Sequence, residues 1–198
     1  MTKDEMREAR KVKHGVHGLW MIVVGLALMG CAGGGAEAGV NPNITAAQLA
    51  DLGEAPELTN EVWLNTDASL RLADLRGQVV LLEMWTFDCI NCRNVIPALR
   101  GWHDDYAEQG LVIIGNHYPE FRHEADLDNL KAAVERLEIA YPVAQDNDGA
   151  TWRAYDNHFW PAMYLIDKQG HIRYRHIGEG RYAETEAAIQ ALLAEATP

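Results

Sequence analysis

Two near-continuous apolar runs, Val79-Val80-Leu81-Leu82-Glu83-Met84-Trp85 and Leu111-Val112-Ile113-Ile114-Gly115, stand out along the chain. Their pattern is that of strands buried on both faces. Between them, from Ile90 to Glu108, the spacing turns helical, with Pro97 inside as an expected kink. Asp126 to Leu137 places Leu127, Leu130, Val134 and Leu137 on one helical face. Tyr141 to Ala144 reads as a short strand. Ala162 to Asp167 and His171 to Ile177, joined at Lys168-Gln169-Gly170, read as an antiparallel hairpin. A last helix is expected from Ala183 to Ala194. Upstream, Glu61 to Asn65 and Ser69 to Leu72 predict a small N-terminal hairpin before the turn at Arg76-Gly77. The alternation describes an α/β domain with a mixed central sheet flanked by helices, an N-terminal hairpin and an inserted helix–strand segment.

The start of the chain follows a different pattern. Residues 1–18 are polar and carry Lys3, Arg7, Arg10, Lys11 and Lys13, and the apolar stretch Leu19 to Met29 follows. That stretch is short for a membrane span and has the length of a signal-peptide core. It ends in Leu28-Met29-Gly30-Cys31, which resembles a bacterial lipobox in which Cys31 is acylated and becomes the new N-terminus. The expected organisation is a lipoprotein signal peptide over 1–30, a flexible lipid-anchored tether over 31–57, rich in Gly and Ala at its start, and one domain over 58–198. An ordinary cleaved signal with a leftover cysteine, or an uncleaved anchor, are the competing readings. Without a twin-arginine pair, general secretion is implied. The expected location is the bacterial cell envelope, with the domain lipid-anchored to a membrane and facing the periplasm or the exterior.

Charge narrows the function classes. The whole chain carries a formal charge of −12, and residues 1–30 hold more bases than acids, so the remainder is more acidic still. A polyanion is a poor partner for nucleic acid or for an anionic lipid surface. Any membrane attachment therefore falls to the lipid on Cys31.

Of three cysteines, Cys31 belongs to the leader, leaving Cys89 and Cys92 as a lone pair in an exported domain. Such a domain is not stapled by structural disulfides. A strand that delivers Cys-x-x-Cys to a helix N-terminus is a redox arrangement, because unpaired N–H groups and the helix dipole favour a thiolate on the first cysteine. Cys89 is the expected attacking thiol and Cys92, one turn inside, the resolving one. Thr86 and Cys89 match part of a peroxiredoxin-type signature, but Leu82 stands where that signature has proline. A zinc site would need two ligands beyond the cysteines. His103, His117, His123, His158, His171 and His176 show no paired spacing that supplies them. Arg93 follows Cys92 where haem attachment requires histidine. A non-catalytic lipoprotein interaction module would not need two thiols kept free of other cysteines. No cofactor and no metal are expected.

The string Trp85-Thr86-Phe87-Asp88-Cys89-Ile90-Asn91-Cys92 carries a resemblance. It is joined by His117-Tyr118-Pro119-Glu120-Phe121, Tyr141-Pro142-Val143, Asp146-Asn147-Asp148, Ala150 to Tyr155, Trp160 to Asp167 and Gly178-Glu179-Gly180. From about Leu58 to Leu193 the chain resembles the thioredoxin-like, TlpA-type thiol–disulfide proteins. Within them it is most similar to the thioredoxin-like domain of DipZ-type disulfide reductases. The resemblance implies a thioredoxin-like fold and an oxidoreductase that exchanges disulfides with protein thiols. Because DipZ-type proteins add a membrane-embedded reductase domain, it also implies a separate membrane electron donor of the CcdA/DsbD type here. By the same mapping, Glu83 is the buried acid that takes the Cys92 proton, in competition with an outward-facing strand residue. Pro97 maps onto a structural helix kink. Trp160-Pro161 is the family's cis-proline step, offering the Trp160 backbone to substrate. Phe87, Asp88, Trp160 and Pro161 are the candidate substrate-binding residues, with Tyr155, Phe159 and Trp160 beside Trp85 and Phe87 as a candidate apolar rim, core packing being the competing reading for Trp85. No cation lies between the cysteines, and Asp88 and Glu83 are acidic. The couple is therefore expected to be a reductase or a mid-potential exchanger, an inference that Arg93 partly offsets.

Overall fold

A computed structural model describes residues 44–196; the signal segment, Cys31 and the first part of the tether lie outside the described residues. Six strands form one mixed sheet in the order β1-β4-β3-β2-β5-β6. They are β1 (Val62–Leu64), β2 (Val79–Trp85), β3 (Leu111–His117), β4 (Val143–Gln145), β5 (Ala162–Ile166) and β6 (Ile172–Ile177). The central pair β2 and β3 is parallel, as is β3 with β4, while β5 and β6 run antiparallel to their neighbours. Every residue of β2 is buried, which is what its unbroken apolar run requires. Its side chains alternate: Val79, Leu81 and Trp85 enter one core, Val80, Leu82 and Met84 the other.

The first core is covered by α1 (Ile90–Tyr106), α2 (Leu127–Arg136) and α4 (Tyr182–Leu193). Cys92, Val95, Ile96, Leu99 and Trp102 make the buried stripe of α1 at helical spacing. Pro97 lies inside α1 on its exposed side, so the lost N–H leaves the packed stripe undisturbed. Asp126 caps α2 by accepting from Asp128 and Asn129 N–H at 3.0 Å each. After α1, a short 3-10 turn stops at Gly110, whose φ of 98° is a left-handed cap that favours glycine. The second core is closed by α3 (Ala150–Ala154), an element the sequence reading did not separate from its surroundings, and by the segments preceding β2.

Two expectations are corrected. The N-terminal hairpin does not form: β1 pairs antiparallel with β4, and its expected second arm ends in a 3-10 helix, Leu72–Leu75. The Glu57 carboxylate decides this, accepting from Leu72 N–H at 2.6 Å and Ala73 N–H at 3.0 Å and so capping a turn where a strand was expected. Nor is the later part of 31–57 a tether. Leu52 N–H donates to the Ile172 carbonyl, Ile172 N–H to Gly53 and Ala55 N–H to Gly170, and Glu54 bridges to His171. This stretch covers the outer edge of β6, satisfying backbone groups that an open edge strand would leave to any passing chain. Among the described residues no helix is long and apolar enough to cross a membrane.

Candidate active site

β2 ends at Trp85, and four residues later Cys89 is the N-cap of α1. Its sulfur accepts from Cys92 N–H at 3.4 Å, occupying the orphan donor that a serine or aspartate cap would otherwise satisfy. Both cysteines are free thiols; Cys89 is partly exposed and Cys92 is buried. Helix geometry separates their roles: one sulfur sits at the positive end of α1 within reach of a partner, the other one turn inside the core. Burial, then the Glu83 carboxyl beneath it, pushes the Cys92 thiol well up from its ordinary value.

Glu83 resolves the competition left by the sequence. It is fully buried, on the same face of β2 as Leu81 and Trp85 and therefore on the side of α1. Burial raises its pKa to about 8, opposed in part by the Tyr141 hydroxyl. Neither carboxylate oxygen completes a hydrogen bond among the described residues. A carboxyl left unpaired in the core holds its proton near neutrality and is placed to exchange it with the thiol above.

A second buried carboxylate holds the loop between β2 and α1, and sequence reasoning missed it. Glu124 is fully buried. Its Oε1 accepts from the Thr86 hydroxyl and from Asp88 N–H at 3.1 Å; its Oε2 accepts from Glu120 and Phe121 N–H at 2.8 and 2.7 Å. Thr86 thus donates to Glu124, so His117 Nε2, 3.3 Å from the same hydroxyl, is the N–H that donates to it. His117 is buried between rings, stacked on Phe87 and edge-on to Trp85, each with centroids 5.3 Å apart. Burial lowers its pKa to about 4, with Glu124 opposing, so the ring stays neutral. The only sequence signal for Glu124 was its place after the His117–Phe121 string. Removing its carboxyl strands four donors, each costing about 1–3 kcal/mol when left unpaired. Glu124→Ala is therefore expected to lose at least ~3 kcal/mol of stability in denaturant unfolding. A loss within ~0.5 kcal/mol, the range of ordinary surface substitutions, would show that water replaces the carboxylate and the loop is held otherwise.

The remaining candidates divide. The Trp160–Pro161 peptide is cis, and the pairing of Ala162 with Met84 brings Pro161 to the end of β2 from which the thiol loop departs. Trp160 packs tilted against Trp152 and stacks on Tyr118, at centroid distances of 4.5 and 5.9 Å. Asp88 is exposed, with its carboxylate 2.5 Å from His123 Nε2. Phe87, Trp85 and Tyr155 are buried, so these aromatics belong to the core and not to a rim. The large apolar side chains that do face solvent include Ile90 beside Cys89, Phe121 and Phe159. Of these, only Phe159 belongs to the apolar rim expected from the sequence. His158 and His171 pair with Asp156 and Asp51 and take no part in the site. Clefts of about 340 and 380 Å³ open beside β1 and α2, and neither is lined by a cysteine. Cys89 thus lies outside both clefts, and a partly exposed thiol on a surface is open to a macromolecular disulfide.

Comparison with known proteins settles the family. The AhpC/TSA family model matches residues 53–175. The chain belongs to the AhpC/TSA family. Protein DipZ of Mycobacterium tuberculosis is 44% identical over 156 residues, which cover 77% of this chain and 22% of DipZ. The chain thus matches less than a quarter of that relative's length. The thiol-disulfide oxidoreductase YkuV of Bacillus subtilis is 29% identical over 141 residues, covering 71% of this chain and 94% of YkuV. Among solved structures, a thioredoxin-like superfamily protein superposes with a TM-score of 0.69 at 34% identity, over 74% of this chain and 99% of its own. The fold is thioredoxin-like, and the chain falls among thioredoxin-like thiol–disulfide oxidoreductases.

Proposed function

We propose that this AhpC/TSA domain works outside the cytoplasm as a membrane-anchored reductase of protein disulfides, with Cys89 and Cys92 as its dithiol. The observation that carries the reading is the vertical order of three groups: a partly exposed Cys89 at the helix cap, a buried Cys92, and an unpaired carboxyl of Glu83 under it. The Cys89 thiolate attacks a substrate disulfide, forming one S–S bond as another breaks and releasing one substrate thiol. Cys92 then passes its proton to Glu83 in its ionised form, attacks the Cys89 sulfur of the mixed disulfide and expels the second substrate sulfur as a thiolate, which takes a proton from solvent. The substrate gains two electrons and the domain closes its own disulfide. A membrane donor of the CcdA/DsbD type would return those electrons, and the lipid on Cys31 would keep the domain at the surface where that donor sits. Trp160 and Pro161 would face the bound substrate backbone, with Asp88 at the edge of the contact.

The reduced domain is expected to reduce insulin disulfides with turnover when a chemical dithiol recharges it. Faster consumption of hydrogen peroxide than of insulin would favour a peroxidase, and activity toward neither would leave an interaction module. In cells, Cys31→Ser is expected to move the domain from the membrane to the soluble fraction with its exchange activity intact. A variant still in the membrane fraction with residues 1–30 attached would make Leu19 to Met29 an uncleaved anchor.

A further inference from the structure

The proton step gives Glu83 a task, yet no residue of β2 orients its carboxyl. The neighbouring strands supply the candidate. Glu83 stands directly opposite Gly115 in the parallel β2–β3 pairing. Gly115 has no side chain to interpose, and a Cβ there would lie 2.8 Å from the Trp85 indole nitrogen and 3.4 Å from Cε2 of Tyr141. The ring of Tyr141, fully buried just before β4, therefore lies over the bare backbone next to Glu83. The Tyr141 hydroxyl has no hydrogen-bond partner of its own among the described residues, and neither do the two oxygens of Glu83. A buried hydroxyl and a buried carboxyl, each unpaired and side by side, are partners in waiting, since each costs free energy while alone.

We propose that Tyr141 is the positioning residue for Glu83, its hydroxyl donating to the carboxylate whenever Glu83 is ionised and aiming that carboxylate at the Cys92 thiol. The inference rests on the exchange reading above and assigns Tyr141 no contact with substrate. When Glu83 is protonated the contact is loose; when it is ionised, a charge-assisted bond forms. Burial, followed by the Glu83 charge, holds the Tyr141 hydroxyl well above its ordinary range, so it remains a donor throughout. The other titratable groups facing the pair come from α1. They are Cys92, Arg100, which is tied outward to Glu138 at 2.6 Å, and His103, whose ring meets Tyr141 edge-on at 6.1 Å. None of them replaces the hydroxyl at the carboxyl, because neither oxygen of Glu83 has a partner.

Tyr141→Phe deletes only the unpaired hydroxyl and leaves the ring that packs on Gly115. Full-length reduced protein carrying ¹³C-labelled glutamate side chains would be titrated by NMR, with Glu83→Gln identifying the Glu83 signal. The expected result is a Glu83 midpoint raised by about 1 pH unit, the size of one charge-assisted hydrogen bond. The ionised fraction at pH 7, and with it the Glu83-dependent rate of insulin reduction, then falls about tenfold. In the Glu83→Gln background, Tyr141→Phe is expected to change the rate no further. An unmoved midpoint, or an added rate loss without Glu83, would overturn the proposal and leave Tyr141 a packing residue. Wild-type protein that reduces no insulin would overturn the exchange reading, and the NMR midpoint would still decide the role of Tyr141.

Discussion

Cys89→Ser is expected to abolish disulfide exchange, and Cys92→Ser to stop it halfway. Cys89 is the partly exposed N-cap of α1, while Cys92 is buried beneath it with its thiol pushed up by burial and by Glu83. Only the thiolate is nucleophilic, so the first attack belongs to Cys89. Without Cys92 the mixed disulfide has no resolving thiol and accumulates as a one-to-one covalent adduct with the substrate, reversed by added dithiol. Mass spectrometry of the trapped species would read this directly and, in cells, would name the substrate. Adducts through Cys92 in the Cys89→Ser protein, or multiple turnover by Cys92→Ser, would invert the assignment. Limiting alkylation of the reduced protein gives an independent reading, since Cys89 is expected to be labelled first.

The parts of this site that were legible in the sequence are those fixed by local rules. A run buried on both faces, then Cys-x-x-Cys at a helix start, placed Cys89 and Cys92 without any long-range information. Alternation on β2 offered two sides for Glu83 and could not choose, because both faces of the strand are covered. What escaped the sequence depends on contacts between distant segments. Glu124 reaches the thiol loop from 38 residues away from Thr86, and Glu57 caps a turn 15 residues downstream and so prevents the hairpin. Residues 51–55 look like linker by composition. Their fixed place in the fold comes from backbone pairing with β6, which composition does not record. Aromatic residues near the thiols were placed at the surface for the same reason. Phe87 is buried by stacking on His117, a partner 30 positions along the chain.

The electrostatic argument about the direction of exchange changes with the structure. Asp88 and Glu83 were counted as two negative charges opposing a thiolate at Cys89. The structure gives Asp88 a close partner in His123 and turns Glu83 toward the core, where it is largely protonated near neutrality. Glu83 therefore does not act on Cys89 as a bare charge, and the Asp88 carboxylate is engaged by the His123 ring. What remains of the case for a reductase is the absence of any cation between the cysteines, where only Ile90 and Asn91 intervene. Because a strong oxidant draws its potential from a stabilised thiolate, this site, with a thiol-capped helix and no added cation, gives Cys89 the helix terminus and nothing more.

Stability is expected to fall as pH rises above about 6.5, and Glu83→Gln to remove that fall. In the folded state Glu83 titrates at about 8 against an ordinary value of 4.5. Between those values the unfolded chain has released a proton that the folded chain keeps, so the stabilisation present below 4.5 is lost progressively until about 8. His117 acts with the opposite sign. Its folded value is about 4 against 6.5, so the unfolded chain binds the extra proton, and stability is lost as pH falls through that window. From 4.5 to 6.5 the two slopes oppose each other, and above 6.5, as the unfolded imidazole finishes titrating, the Glu83 slope outweighs that of His117. Each unmatched proton is worth about 1.4 kcal/mol per pH unit, so wild type is expected to lose roughly 2 kcal/mol from pH 6.5 to 8. Denaturant unfolding of the reduced protein at pH 6.5 and at pH 8 tests this, with m-values checked for constancy. The difference in stability between Glu83→Gln and wild type should widen by that roughly 2 kcal/mol in favour of the variant. A difference that stays constant would mean that Glu83 ionises near its ordinary value in the folded protein. It would then stand fully ionised at neutral pH as a weak base, and the raised basicity on which its part in the exchange cycle rests would be gone.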